Sequence, residues 1–415
     1  MNRLNILLTE LCPDGVVYKR LGDVATITRG GSFQKKDYAE NGVPCIHYGQ
    51  IYTRYGLFVN KTISFINNEV AARQKYAATN DVIMAVTSEN IEDVCKCVAW
   101  LGESKVAVSG HTAIIHHTLD PKYLVYYFHS SHFFEQKCKL AHGTKVIEVT
   151  PDKLANIVIP VPPLEVQREI VRILDNFTEL TAELTAELTA RKKQYEYYRD
   201  TFLNSDHWGE DNYNAKRYKL SALCYEITDG SHYSPPAADE GYYMPSVKDM
   251  RANGFVYTDC KKISSKAYEE LVRNGCRPQK NDVLIAKDGA MLKHAFVSDG
   301  SEDIVLLSSI AILRPKTDLI LPQYLAHCFR QNSFKENVIR RFSTEGGVPR
   351  IVLKNFKQIE LTVPCIEEQS RIVTILDRFE ALCSNLTSGL PAEIAARQKQ
   401  YEYYRDKLLT FKQLA

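Results

Sequence analysis

The sequence lacks most of what would make it a membrane protein, a secreted protein or an enzyme. No apolar run is long enough to span a bilayer, and the opening stretch MNRLNILLTELCPDG has no sustained apolar core. Neither a signal peptide nor a membrane span is expected, and a cytoplasmic location is. The eleven cysteines are odd in number and scattered, without a C-x-x-C pair; Cys95 and Cys97 are the nearest two. Free thiols in a reducing compartment are the expectation. A phosphate-binding G-x-x-x-x-G-K-[ST] loop, a G-x-G-x-x-G fingerprint, a G-x-S-x-G elbow and an H-E-x-x-H pair are all missing. So is the Asn/Asp-Pro-Pro-aromatic loop of a methyltransferase that uses S-adenosylmethionine.

The fragments of chemistry that remain are weak. His116 and His117 are neighbours on an expected strand and would face opposite ways, which is poor ligand geometry. Glu103-Ser-Lys105 with Asp93 only faintly resembles a metal-nuclease pattern. Asp81, Glu89, Asp282 and Asp288 follow Asn-Asp turns or adjoin them and read as turn formers rather than acid–base pairs. No catalytic residue, metal or cofactor is expected in this chain.

What the sequence does contain is itself, twice. QYEYYRD occurs at 194–200 and again at 400–406, an offset of 206. VPPLEVQREIVRILDNF (161–177) matches VPCIEEQSRIVTILDRF (363–379) at 202, and NDVIMA (80–85) matches NDVLIA (281–286) at 201. PKYL and PQYL, and ITRGGS and ITDGS, fall in the same order near the same offset. Repeats of some 200 residues are domains, since solenoid units run about 20–50 residues.

Charge separates the repeated from the diverged parts. Counting Lys and Arg against Asp and Glu, residues 1–157 carry +2 and 213–357 carry +6, whereas 158–208 carry −3 and 358–415 carry −1. A polyanion would meet the basic, diverged regions and a protein partner the conserved ones. In each diverged region short apolar or alternating runs such as DVIMAV and SSIAILRP sit between turn residues, a β-rich pattern with a few helices. Amphipathic helices are expected over 122–137 and 323–341.

Each half closes on a long helix. Ile170, Ile173, Phe177, Leu180 and Leu184 keep a heptad-like spacing that resumes at Leu188, Tyr195 and Tyr198. The steps of four fall in TELTAELTAELTA (178–190), a tandem TAEL repeat, and mark a stutter. The second seam runs through Ile372, Ile375, Phe379, Leu382 and Leu386, then Ile394, Tyr401 and Tyr404; SGLP (388–391) predicts a break between them. A helix of forty residues with an apolar seam needs a partner in water, and its own duplicate is the nearest at hand. The expected fold is therefore α+β: two mixed α/β domains separated by a pair of long antiparallel helices in a coiled coil. The expected segments are a first recognition domain (1–157), a first long helix (158–208), a second recognition domain (209–357) and a second long helix (358–415).

Gly-marked polar loops recur in both halves, and such loops are where a scaffold presents recognition residues. In the first half they offer Gln34, Lys35 and Lys36, then His47, Tyr48, Gln50, Arg54 and Tyr55, then Lys145. In the second they offer Ser231, His232 and Tyr233, then Lys248 and Arg251, Lys287 and Lys293, and Arg340, Arg341 and Arg350. Cations suit phosphates, and Arg, Lys, Asn and Gln suit base edges. Double-stranded DNA is the expected ligand; a helical scaffold whose mixed domains bind proteins is the alternative.

With IPVPPLEVQREIVRILD (159–175), the TAEL repeat, RKKQYEYYRD (191–200) and their second-half counterparts in view, the chain resembles the specificity subunit of type I restriction–modification systems along essentially its whole length. The resemblance implies that each domain contacts one half of a bipartite asymmetric DNA site, while the helices set the half-site spacing. It further implies docking of two modification subunits, which carry the S-adenosylmethionine site, and two restriction subunits with motor and nuclease domains.

Overall fold

A computed structural model describes residues 3–204, 215–344, 348–384 and 389–414. The chain forms two compact units, one of Met1–Thr185 with Glu393–Ala415 and the other of Ala186–Ala392. Each unit combines one mixed α/β portion with stretches of helix from both halves of the sequence.

In the first unit, α1 (Arg3–Leu11) precedes a sheet of β1 (Ala25–Arg29), β2 (Phe58–Val59), β3 (Val82–Ala85), β4 (Cys97–Trp100) and β5 (Thr112–His117), in the spatial order β1-β5-β3-β4-β2. All neighbours are antiparallel except β4 and β2. A second sheet orders Tyr38–Ala39, Ser64–Ile66, Val43–Ile46, Val106–Val108 and Lys75–Ala77. The continuous apolar run of β3 has a direct cause. Side chains alternate across a strand, so Val82 and Met84 enter one core while Ile83 and Ala85 enter another. The helical stretch then comes as two helices, α2 (Pro121–Phe128) and α3 (Ser131–Leu140), rather than the single one expected over 122–137. The reason is local: Ser130 takes an extended backbone and its side chain accepts from Phe133 N–H, capping a new helix. Asp120 caps α2 in the same manner, accepting from the N–H groups of Lys122 and Tyr123. α4 (Leu164–Phe202) follows, without Gly or Pro. The chain's tail lies beside its start, where Val16 N–H donates to Lys412 and Leu414 N–H to Val16.

The second unit repeats the plan with β6 (Cys224–Asp229), β7 (Val283–Ala286), β8 (Ala295–Val297) and β9 (Ile310–Pro315), ordered β6-β9-β7-β8. Pairings correspond: Ile27 faces Ile115 as Ile227 faces Leu313, and Ile83 faces Ile114 as Leu284 faces Ile312. Val283 and Ile285 enter one core, Leu284 and Ala286 another. Again two helices, α5 (Pro322–Arg330) and α6 (Asn332–Phe342), replace the one expected over 323–341, because Gln331 turns extended (ψ 127°) between them. α7 (Ile366–Ser384) and α8 (Leu390–Leu408) complete the chain. They end and begin on either side of residues 385–388, which lie outside the described residues, and Leu386 with them.

Two of the four carboxylates read as turn formers, Asp81 and Asp282, close turns as expected, whereas Asp288 pairs with Lys287. Asn80 and Asn281 adopt left-handed backbone at φ 73° and 72°, where Asn is favoured. The buried Asp81 and Asp282 that follow close each turn, accepting from Ala78 and Gln279 N–H at 2.7 Å. His116 and Arg314 then pair with those aspartates at 2.7 and 3.0 Å.

The long helices meet through two pairs of aromatic residues. Phe177 stacks on Tyr404 in the first unit, and Tyr198 lies against Phe379 in the second. Early residues of α4 thus partner late ones of α8, and late residues of α4 partner α7. Leu180, Leu184, Leu188, Tyr195, Ile375 and Ile394 are half-buried among exposed neighbours, and Ile173 is likewise half-buried. Ile170, Ile372 and Tyr401 are buried in the main cores of their units, with Leu174 and Leu376, which the seam spacing does not include. Leu382 departs from the seam: it is exposed and its neighbour Cys383 is buried, just before α7 ends.

Candidate nucleic-acid interface

In each unit the loop after the first sheet strand is pressed against a neighbouring backbone. A Cβ on Gly30 would sit 2.0 Å from the Ser109 carbonyl oxygen, and one on Gly230 would sit 2.1 Å from that of Leu306. No other residue fits at either place, which explains the glycine in both copies of the motif. Gly31 N–H donates to Val108 and Ser231 N–H to Leu306, each at 2.7 Å. A serine hydroxyl also supports the next loop in both units: Ser109 accepts from Tyr48 N–H at 2.9 Å and Ser309 from Val247 N–H at 3.1 Å.

This shared frame sorts the residues expected from the sequence. Gln34, Lys35, Lys36, Arg54, Lys145, His232, Tyr233, Lys248, Arg251, Lys293, Arg340, Arg341 and Arg350 are exposed. Among the described residues none of the Lys and Arg in that group has an ion pair. Arg251 is turned onto its own loop, donating to the carbonyls of Lys248 and Met250 at 2.9 and 2.7 Å.

Others hold the frame itself. His47 is buried, and its Nδ1 accepts from Gly49 N–H at 3.2 Å. Burial, with Lys35 and His111 nearby, lowers its pKa, so it stays neutral near pH 7. Gln50 is buried, accepts from His47 N–H and donates to Ser64 Oγ at 2.6 Å. The Tyr55 hydroxyl accepts from Ile63 N–H, and Ser231 Oγ accepts from Tyr233 N–H. Lys287 is buried, its ammonium paired with Asp229 at 3.3 Å and Asp288 at 3.2 Å. Tyr48 is half-exposed, its ring 4.5 Å from that of His47 and 5.0 Å from that of His111.

The sequence reading missed residues that pin domain to helix. Gln167 Oε1 accepts from Asp120 N–H at 2.9 Å while its Nε2 donates to Pro162 at 2.7 Å. Its counterpart Gln369, with no exposure, accepts from Leu321 N–H and donates to Leu319 and Pro364. The signal was a polar residue at the same place in both copies of the most strongly repeated block. In the repeated QYEYYRD motif, Arg199 lies over Tyr195 and Arg405 over Tyr401, at 5.4 and 5.6 Å from the ring centres. Tyr197 and Tyr403 project outward, 66% and 60% exposed.

Reactive groups among the described residues are buried or already paired. Burial pushes the Cys95 thiol up to about 12 and the Cys97 thiol well above its usual range, the reverse of an activated nucleophile. All eleven cysteines are free. One trio with metal-ligand chemistry, His327, Asp377 and Glu380, has donor atoms within 4.8 Å of one another. Its charge is already answered: Arg330 grips both Glu380 oxygens at 2.6 and 2.7 Å, and His327 Nε2 binds Asp377 at 2.8 Å. No described helix is long and apolar enough to cross a membrane.

Comparison with known proteins follows the same lines. The type I restriction modification DNA specificity domain matches residues 13–194 and 238–396. A putative type I restriction enzyme specificity subunit from Haemophilus influenzae is 33% identical over 304 residues, covering 71% of this chain and 73% of its own. The EcoR124I/EcoR124II specificity subunit of Escherichia coli is 36% identical over 263 residues, 61% of each chain. Among solved structures, a chain from a study of assembly and conformational transition of the type I R-M system superposes with a TM-score of 0.63 at 21% identity, over 96% of this chain and 98% of that one. The S subunit from M. genitalium gives 0.51 at 13% identity over 95% and 96%. Two matched domains and a duplicated fold agree: this chain belongs to the family of type I restriction–modification DNA specificity proteins.

Proposed function

We propose that this chain is the non-catalytic specificity subunit of a type I restriction–modification enzyme working in the cytoplasm, and that each unit reads one half of a bipartite, asymmetric site in double-stranded DNA. The observation that carries this is the shared frame with unlike loops. Both units hold a loop against the sheet at Gly30 and Gly230, yet the exposed side chains there differ, Gln34, Lys35 and Lys36 in one and His232 and Tyr233 in the other. A frame repeated under diverged side chains is what two readers of different sequences require. The exposed cations without ion pairs would contact phosphates, and the exposed Gln34 and half-exposed Tyr48 would serve base edges or stacking. His47, Gln50, Tyr55, Ser231 and Lys287, each committed to the frame, would position those groups instead.

The conserved helices set the spacing of the half-sites and dock two modification subunits, which supply S-adenosylmethionine and its chemistry; two restriction subunits complete the assembly. The boundaries 1–157, 158–208, 209–357 and 358–415 mark the corresponding parts. Exchange of residues 1–157 for another recognition domain, followed by methylome sequencing, tests the reading: one half-site changes and the other stays. A change in both would overturn it. Binding to DNA in the presence of modification subunits, measured from 50 to 200 mM salt, should weaken steeply, as phosphate contacts release counterions. A scaffold that binds only proteins would show no such dependence.

A further inference from the structure

We infer that Gln74 is a positioning residue for DNA reading by the first unit: it touches no base but fixes the loop that does, an inference resting on the assignment of the Gly30–Lys36 loop to DNA. Gln74 Oε1 accepts from two successive backbone N–H groups, Ser32 at 2.7 Å and Phe33 at 3.2 Å. Its Nε2 donates to Val70 at 2.9 Å, which fixes the orientation of the amide. All of its strong hydrogen-bonding directions toward the loop are thus in use, from a residue more than forty positions away in sequence.

Two further features tie the loop to this side chain. A Cβ on Gly31 would lie 2.2 Å from Gln74 Oε1, so the glycine is what admits the amide. Phe33, buried beside Cys45, Ile66 and Ala71, anchors the loop immediately beyond the two bonds. The exposed Gln34, Lys35 and Lys36 leave directly from that anchor. The second unit holds its equivalent loop by other side chains: Ser231 Oγ both accepts from Tyr233 N–H and donates to Tyr233 C=O, and Lys261 Nζ donates to Ser234 Oγ at 2.6 Å. A change at Gln74 therefore alters one half-site only.

The test uses the full chain with its modification subunits, and as probe a duplex bearing the methylated motif found by methylome sequencing. Gln74→Leu removes both acceptor and donor, whereas Gln74→Glu keeps an oxygen for the two N–H groups. Two lost hydrogen bonds of ordinary strength correspond to about a tenfold rise in Kd. For Gln74→Leu we expect that rise, faster amide exchange across residues 31–34, and weaker discrimination against duplexes altered in the first unit's half-site. Discrimination in the other half-site stays unchanged, and Gln74→Glu recovers most of the loss. Unchanged exchange at residues 31–34, or no recovery by Gln74→Glu, overturns the role of Gln74. Faster exchange with unchanged affinity and discrimination overturns instead the assignment of this loop to DNA.

Discussion

Phe177 of α4 and Tyr404 of α8 stack with ring centres 5.4 Å apart and planes 23° from parallel. Tyr198 and Phe379 repeat the contact in the other unit, at 5.5 Å, with the aromatic types exchanged between the helices. The repeated motifs thus do for each other what neither could do alone: the Phe of one copy finds the YEYY Tyr of the other. A half-exposed pair of this kind couples by about 0.5–1.5 kcal/mol beyond its buried area. We expect Phe177→Ala and Tyr404→Ala each to lower stability in urea, and the double variant to be less harmful than the two losses added, by about that coupling. Strict additivity would mean the stack contributes no specific pairing.

Gln369 offers a sharper stability test, since it is fully buried with three partners on two segments. Replacement by Leu fits the space but strands Leu321 N–H and two carbonyls. Leaving buried polar groups unpaired costs about 1–3 kcal/mol each, so Gln369→Leu should destabilise far more than its apolar character suggests. Gln369→Glu keeps the acceptor and loses the donor, and should fall between the two in chemical denaturation.

These residues also show what the sequence disclosed and why. The strands, the Asn-Asp turns and the heptad spacing at Phe177 or Tyr198 were legible because each depends on local pattern: alternation, a left-handed Asn, a period near 3.5. The breaks at Ser130 and Gln331 were not, because the polar stretches HSSH (129–132) and RQNS (330–333) suit the solvent face of a continuous amphipathic helix, and only a cap or an extended backbone divides it. The loop residues divided in a way that no local rule gives. Lys36 and Lys287 are the same residue type in similar Gly-marked loops, yet Asp229 and Asp288 occupy one and nothing described pairs with the other. One of those partners, Asp288, is the next residue in the chain, and the other, Asp229, ends a strand two places across the sheet. Leu174 and Leu376, off the seam, are buried because the helices bear on the mixed domains as well as on each other.

Acid should expose the cost of a half-buried histidine. Burial lowers the pKa of His129 to about 4, helped by Arg405, Lys137 and Lys96, while its Nδ1 bonds the Val125 carbonyl at 2.8 Å. In the unfolded chain the same ring titrates at about 6.5. As pH falls below that value the unfolded state gains a proton the folded state refuses, so stability drops progressively until about pH 4, and is unaffected above the unfolded value. We expect His129→Gln, which keeps a donor for Val125, to flatten the fall in melting temperature between pH 6.5 and 4. Parallel curves for the two proteins would assign the acid sensitivity to other groups.

The TAEL repeat allows the spacing role to be measured directly. Thr185, Ala186 and Glu187 are exposed and only Leu188 is half-buried, so removing Thr185–Leu188 deletes one whole unit and leaves the seam able to close on the next leucine. At about 1.5 Å per residue the helix shortens by about 6 Å, and four residues exceed a turn of 3.6 by about 40° of rotation. Base pairs lie about 3.4 Å apart along the duplex, so the shortening amounts to one or two steps. We expect the variant to methylate a motif whose two half-sequences are unchanged and whose gap is one or two base pairs different. The recognition loops lie outside the deletion and have no cause to change their preference. An unaltered gap would show that the spacing is set elsewhere, and an altered half-sequence would show that the helix and the reading loops are not independent.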